Sequence, residues 1–346
     1  MLVITAEIAS CLRTTSVLCS GYGIKKIRKS TPLLLRQRSF SSDTTDHQMN
    51  VFDRKAKARH RHLAATDPEG VVYDYLKEEV GSRLADRVYD IKRKFSVAVE
   101  LGCGRGYVTQ HLTSDAIESL YQCDASVAFL AHSKTPAHVP TTKLVVDEEF
   151  LPFLPSSIDI FLSSLSLHWV NNLPGTFQQV YTSLKPDGVF LGSVFGGETL
   201  YELRGSLQLA EMEREGGFAP HVSPFMQATD LAGLLQSVGF TMLTIDSDEI
   251  VVHYPSAFHL VQDLKGMAEN NAAWKRKSHL HRDSLIAASA IYQQLYGKEK
   301  GVPATYHVLS FIGWKPDPSQ PKPSKRGSQT ASFKDLGSLS DPAKKR

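Results

Sequence analysis

Val97-Ala98-Val99-Glu100-Leu101-Gly102-Cys103-Gly104-Arg105-Gly106 reads as an apolar strand that ends at an acid and runs into a glycine-rich turn, with a helix expected after it. Small residues are needed there if a ligand approaches the backbone, because Cβ atoms would stand in its way. The spacing is Gly-x-Gly-x-Gly, with Tyr107 where a dinucleotide loop needs its third glycine, and this disfavours a nicotinamide cofactor. Downstream, short apolar runs alternate with helix-like stretches: Tyr121 to Cys123, Leu144 to Val146, Ile158 to Leu162 and Gly188 to Val194. That alternation predicts βαβ units, an α/β fold and a mostly parallel sheet.

Each strand end carries polar chemistry. Asp124 closes the second run, 22 residues beyond Gly102, where a carboxylate can accept hydrogen bonds from ribose hydroxyls. Asp147 and Glu148 follow the third run, placed for the exocyclic amine of an adenine. After the fourth comes Ser163 through Trp169, and after the fifth Phe195 through Arg204, where a lid over an acceptor is expected. His168 is a candidate proton acceptor, weighed against a packed strand-end histidine. Tyr201 and Arg204 stand three apart on one expected helix and would orient an acceptor or merely cap the sheet. Glu198, Glu202, Glu211, Glu213 and Glu215 make the lid acidic. A carboxylate pair among them would grip a guanidinium, the alternative being a solvated helix face.

Two more helices are legible. Leu76, Val80, Leu84 and Val88 recur every four residues as one buried stripe. Asp230 to Val238 reads as a helix with Asp230 as N-cap and Gly239 just past its end, before a strand from Phe240 to Ile245.

The 39 Lys and Arg against 36 Asp and Glu conceal a segregated charge. Residues 1–42 hold seven basic residues and one acid, and residues 315–346 hold eight basic and three acidic, so the body between them carries about −8. That balance argues against nucleic acid as the main partner. The leader, rich in Arg, Lys and Ser and poor in acids, has the composition of an organelle import peptide, and Arg38-Ser39-Phe40-Ser41 resembles a matrix-processing site. Outside it stand only Cys103 and Cys123, too few for a four-thiolate metal site, and no metal is expected. His253, His259, His279 and His281 assemble into no convincing facial triad for an iron oxygenase. The longest uncharged run, Ile160 to Leu184, is too polar to span a bilayer. Trp274-Lys275-Arg276-Lys277 and His279-Leu280-His281-Arg282 form a basic, partly aromatic patch that would suit an anionic membrane or a protein partner, an exposed helix face being the preferred alternative.

With these features in order, the chain from about Asp74 to Trp314 resembles the class I S-adenosylmethionine-dependent methyltransferases, particularly those with an acid-Leu-Gly-Cys-Gly loop. The resemblance implies a doubly wound, seven-stranded, Rossmann-like sheet with helical lid insertions, and S-adenosyl-L-methionine as cofactor. Gly102 and Gly104 would approach its methionine end, with Cys103 and Gly106 in the same loop. Glu100 would lie beneath, Asp124 would hold the ribose, and Asp147 with Glu148 would flank the adenine.

Longer segments are similar to the mitochondrial complex I assembly factor five family: Tyr73 to Arg83, Ser163 to Val170, Thr199 to Gly217, Val302 to Tyr306 and the Ile312-Gly313-Trp314 ending. This implies hydroxylation of an arginine in an iron–sulfur subunit of respiratory complex I, early in assembly. Other assembly factors would be partners, and contact with the matrix face of the inner membrane would be peripheral. The candidates for catalysis are then His168, Glu198, Tyr201 and Arg204. Leu165 to Leu173 also resembles bacterial malonyl-carrier-protein O-methyltransferases, which implies methyl transfer instead. A catalytically silent assembly chaperone is the third reading. The organisation expected is a transit peptide over 1–40, an arm over 41–72, a methyltransferase-like domain over 73–314 and a disordered basic tail over 315–346.

Overall fold

The computed structural model describes residues 50–321, 326 and 327, so the transit-peptide reading and most of the expected tail lie outside the described residues. Among those described, seven strands form one sheet: β1 (Phe95–Leu101), β2 (Ile117–Asp124), β3 (Thr141–Val145), β4 (Ile158–Ser164), β5 (Leu184–Phe195), β6 (Thr241–Tyr254) and β7 (Val302–Trp314). Their order is β3-β2-β1-β4-β5-β7-β6. The first five run parallel, and β7 lies antiparallel between β5 and β6. The strand that opens the glycine turn is thus central, and Ala98, Val99, Ile160, Phe161 and Leu162 have no accessible surface. Burial on both faces is what makes the parallel strands near-continuous apolar runs. The strand order reverses between β1 and β4, and such sheets bind ligands outside the carboxyl ends of the strands at that reversal.

The described helices are α1 (Arg54–Thr66), α2 (Tyr75–Asp90), α3 (Val127–His132), α4 (Leu173–Ser183), α5 (Tyr201–Glu215), α6 (Ala228–Val238), α7 (Ala257–Gly266) and α8 (Arg282–Tyr296). The stripe of α2 is buried as its spacing requires, and Leu84 and Val88 join Ala98, Ile160 and Leu162 in one apolar cluster. Each such side chain contributes roughly 1.5–3 kcal/mol of transfer free energy. None of the described helices is long and apolar enough to cross a membrane.

Three local expectations are corrected. Instead of a helix after the glycine turn there is a single 3-10 turn, Thr109–His111. Only ten residues separate Gly106 from Ile117, too few for a helix to run back along the sheet. The N-cap of α6 is Gln227, and Asp230 lies in the first turn, where its charge still faces the positive end of the helix dipole. Gly239 does close that helix in the left-handed conformation. Lastly, β6 continues past Ile245 to Tyr254. Asp246, Asp248 and Glu249 disguise it as a loop, but charge along an outer strand is how sheets discourage edge-to-edge association.

Candidate cofactor cleft and acceptor site

The glycine turn is fixed by the chain's own atoms. Gly102 and Gly106 adopt φ of 66° and 82°, conformations that L side chains rarely take. A Cβ on Gly102 would run into the Ser166 side chain, and one on Gly106 into the Lys134 carbonyl. Glycine is therefore demanded here before any ligand is considered. Asp124, fully buried at the end of β2, accepts the Gly104 N–H at Oδ2 (2.9 Å) and the Ser126 N–H at Oδ1 (2.7 Å). The Cys103 N–H reaches the Cys123 carbonyl at 3.0 Å, which ties the turn to β2 again. Both thiols are buried, and burial pushes them up, Cys123 to about 12, so neither is a thiolate at neutral pH.

Glu100 lies at the penultimate position of β1, 1% exposed, with no hydrogen bond to either carboxyl oxygen. Burial pushes it up to about 8, which keeps it protonated at neutral pH. Across the cleft, Glu148 accepts the Ser166 hydroxyl at 2.7 Å. Asp147, nearer the surface, lies beside it.

Asp147, Glu148 and Asp124 already hold cations, all from one face of α1. Arg54 pairs with Asp147 at 2.5 Å and Glu148 at 3.1 Å, and Arg61 pairs with Asp124. Burial disfavours a charged Glu148, but Arg54 and Arg61 outweigh it and hold the carboxyl below its usual value. Between them Lys57 completes an i, i+3, i+7 stripe. The helix begins at Asp53, which caps Ala56 and pairs with Arg276 at 2.9 Å. Its last turn is held from the glycine loop, where Arg105 donates to the Ala64 carbonyl at 3.1 Å. What remains of the cleft is a cavity of about 80 Å³, lined by Lys57, Arg61, Asp147, Glu148, Ser166 and Trp169 among others.

Beyond the glycine turn, β4 leads into a short turn that buries His168 and Trp169. The His168 ring lies 4.8 Å from that of Phe195 and 5.7 Å from that of Phe225, and burial pulls its pKa down, so it is neutral. Its Nε2 is 3.5 Å from Glu269, a residue singled out by no sequence signal. The lid residues stand apart from this cluster. Glu198 and Tyr201 are exposed, and Tyr201 packs edge-on against Tyr296. Arg204 donates to the carbonyls of Gly197 and Thr199 and borders a separate, larger cavity of about 470 Å³ with Leu207, Phe218, His221 and Trp274. None of the three lines the cleft.

Three of the five lid acids are also spent within the chain. Glu202 takes the Thr305 hydroxyl and N–H, while Glu211 and Glu215 share Lys277. The carboxylate pair read from the sequence thus exists, but its cation is a lysine of this chain. Among the described residues, no three His, Cys, Asp or Glu side chains come together as a metal site.

The family model described as a methyltransferase domain matches residues 73–245. A human protein, arginine-hydroxylase NDUFAF5, mitochondrial, is 53% identical over 306 residues, covering 87% of this chain and 88% of that protein. The chain belongs to the NDUFAF5 family. A Dictyostelium discoideum NDUFAF5 is 38% identical over 351 residues, with 95% of this chain and 78% of that protein covered. Beyond the NDUFAF5 family, malonyl-[acyl-carrier protein] O-methyltransferase 1 of Coxiella burnetii is 30% identical over 259 residues, covering 74% of this chain and 86% of that enzyme. The reversal of strand order, the glycine turn and the strand-end acids are the features of a class I methyltransferase fold, and this chain is built on it.

Proposed function

We propose that this chain is an arginine hydroxylase, acting on an iron–sulfur subunit of respiratory complex I while that complex is assembled. The observation that carries the reading is the 53% identity, over nearly the whole of both chains, to a protein named for that reaction. The same relative is named mitochondrial, which agrees with the basic leader over 1–40 as a transit peptide. Action at the matrix face of the inner membrane, in peripheral contact and alongside other assembly factors, completes the proposal.

S-adenosyl-L-methionine fits the cleft chemically. Asp124 would hold the ribose hydroxyls, Asp147 and Glu148 would flank the adenine, and the loop from Gly102 to Gly106 would face the methionine end. When bound, the cofactor supplies a sulfonium, a fixed positive charge, in this low-dielectric site. A protonated Glu100 offers that end of the site a neutral acid. Small-molecule sites usually measure about 300–1,000 Å³, so a cavity of about 80 Å³ admits the cofactor only if Arg54 and Arg61 give way. His168, neutral and buried, can accept a proton from a group brought beside it.

The runner-up is methyl transfer, favoured by the methyltransferase-domain match and the carrier-protein methyltransferase relative. Peptide mass spectrometry of matrix-facing complex I subunits, from cells with and without this protein, separates the readings. Loss of one oxygen mass from a single arginine is expected. Loss of a methylene mass instead would establish the methyltransferase, and an unchanged peptide with failed assembly would leave a chaperone.

A further inference from the structure

Beneath α1 lies a buried cage with a cation in it. Lys57 Nζ sits 3.5 Å from the centroid of the Trp169 ring, donates to the Ala268 carbonyl at 2.7 Å and lies 3.4 Å from Glu269 Oε2. The cage is braced from outside. Trp169 Nε1 donates to Glu269 Oε2 at 2.9 Å, which fixes the carboxylate relative to the ring. Lys77 of α2, anchored on the Met267 carbonyl at 2.6 Å, lies 3.4 Å from Oε1 of the same carboxylate.

The present occupant fits poorly in two respects. Burial, with Lys77 and Arg61 nearby, pulls Lys57 well below its usual value despite Glu269, so holding its charge here is costly. The His168 ring points Nε2 toward Glu269 at 3.5 Å without forming a hydrogen bond, and its Nδ1 is unpartnered as well. A guanidinium answers both. It stacks flat on an indole, spreads its charge over a plane, and carries five donors where an ammonium carries three. It could therefore reach Glu269, the Ala268 carbonyl and a ring nitrogen of His168 together. The cage opens on the cofactor cleft, since Lys57 and Trp169 line the same small cavity as Asp147, Glu148 and Ser166. With Lys57 withdrawn, Lys77 still neutralises Glu269, so the emptied cage leaves no lone buried charge.

We propose that Trp169, Glu269, the Ala268 carbonyl and His168 form the seat of the substrate arginine's guanidinium, and that Lys57 of α1 is the placeholder it displaces. The proposal rests on the arginine-hydroxylase reading for its substrate. Its chemistry, the capture of a cationic side chain by an indole face and a carboxylate, can be tested without turnover.

The probe is N-acetyl-arginine amide, with its neutral isostere N-acetyl-citrulline amide as control, added to the full chain. The readout is the indole N–H resonance of Trp169, identified by its absence in Trp169→Phe. Lys57→Ala is expected to bind the arginine probe about tenfold more tightly than the unaltered chain, with a shifted Trp169 resonance. Lys57→Arg, which puts a tethered guanidinium in the cage, should weaken the probe below the unaltered chain. Adding Glu269→Gln to Lys57→Ala should abolish the shift in protein whose other resonances are unchanged. If that combined variant is poorly folded, the Lys57→Ala and Lys57→Arg pair decides. Equal shifts by both probes, or no shift in Lys57→Ala, would overturn the proposal. Probe capture without any oxygen-bearing arginine in complex I would retain the cage and remove the hydroxylase. Normal substrate KM in Glu269→Gln, with hydroxylation intact, would do the reverse.

Discussion

Arg61 of α1 donates to Oδ2 of Asp124, the same oxygen that takes the Gly104 N–H, so one buried carboxylate joins the arm helix to the glycine turn. The arm and a nucleoside would compete for that oxygen. Breaking a buried ion pair from one side costs about 3–5 kcal/mol. Arg61→Ala is therefore expected to lower the stability of the cofactor-free chain by about 3 kcal/mol. The same change removes one of the two cations that close the cleft, Arg54 remaining on Asp147 and Glu148, so S-adenosyl-L-methionine affinity should rise about tenfold. Calorimetric titration beside thermal unfolding checks both, and unchanged affinity in a destabilised variant would mean that α1 does not obstruct the site.

Glu100 sets a pH dependence of stability. Its carboxyl rises from 4.5 in the unfolded chain to about 8 when buried. Between those values the folded state keeps a proton that the unfolded state has released, so stability falls as pH rises through the interval. Glu100→Gln removes that loss. It should match the unaltered chain near pH 4 and exceed it at pH 8 by on the order of 4 kcal/mol. Denaturant unfolding at the two pH values is the measurement, and parallel pH profiles would show that the carboxyl is ionised in the fold.

Gly106→Ala tests why the turn is glycine. The φ of 82° opposes any side chain, and the added Cβ meets the Lys134 carbonyl, which is itself held by the Gln122 side-chain amide of β2 at 2.8 Å. A loss of about 2 kcal/mol or more is expected in cofactor-free protein, since left-handed strain alone costs about 1–2 kcal/mol. A variant as stable as the unaltered chain but unable to bind the cofactor would return the glycine to the ligand.

The parts of the fold and site that the sequence declared are those written in local pattern. The run Val97 to Gly106 placed β1 and the turn, and Asp124 and Glu148 followed because a strand end is a position any sheet reading can find. What stayed hidden depends on distance along the chain. Lys57 and Glu269 meet across 212 residues, and neither has a local signature. Arg54, Lys57 and Arg61 did carry a signal, a cationic stripe at helical spacing, but nothing local to that stripe says which acids it meets. The partner of the lid acids stayed hidden for the same reason of distance. The acids were visible, while Lys277, which occupies two of them, lies 62 residues beyond Glu215.

That lid arrangement yields the last expectation. Glu211 is fully buried and takes the Ala219 N–H at 2.8 Å, His221 Nε2 at 2.8 Å and Lys277 at 3.0 Å, so it pins the segment after α5 rather than facing the cleft. Glu211→Ala leaves three groups without their acceptor, and bonds to charged groups contribute about 1.5–3 kcal/mol each. Since water and Glu215 compensate in part, a loss of roughly 2 kcal/mol is expected. Hydrogen exchange should quicken at Ala219 and its neighbours, with cofactor affinity unchanged because no lid acid lines the cavity among Asp147, Glu148 and Ser166. If Glu211→Ala instead keeps its stability and raises the KM for an arginine substrate, the lid acids do grip the guanidinium, and Glu269 loses that role.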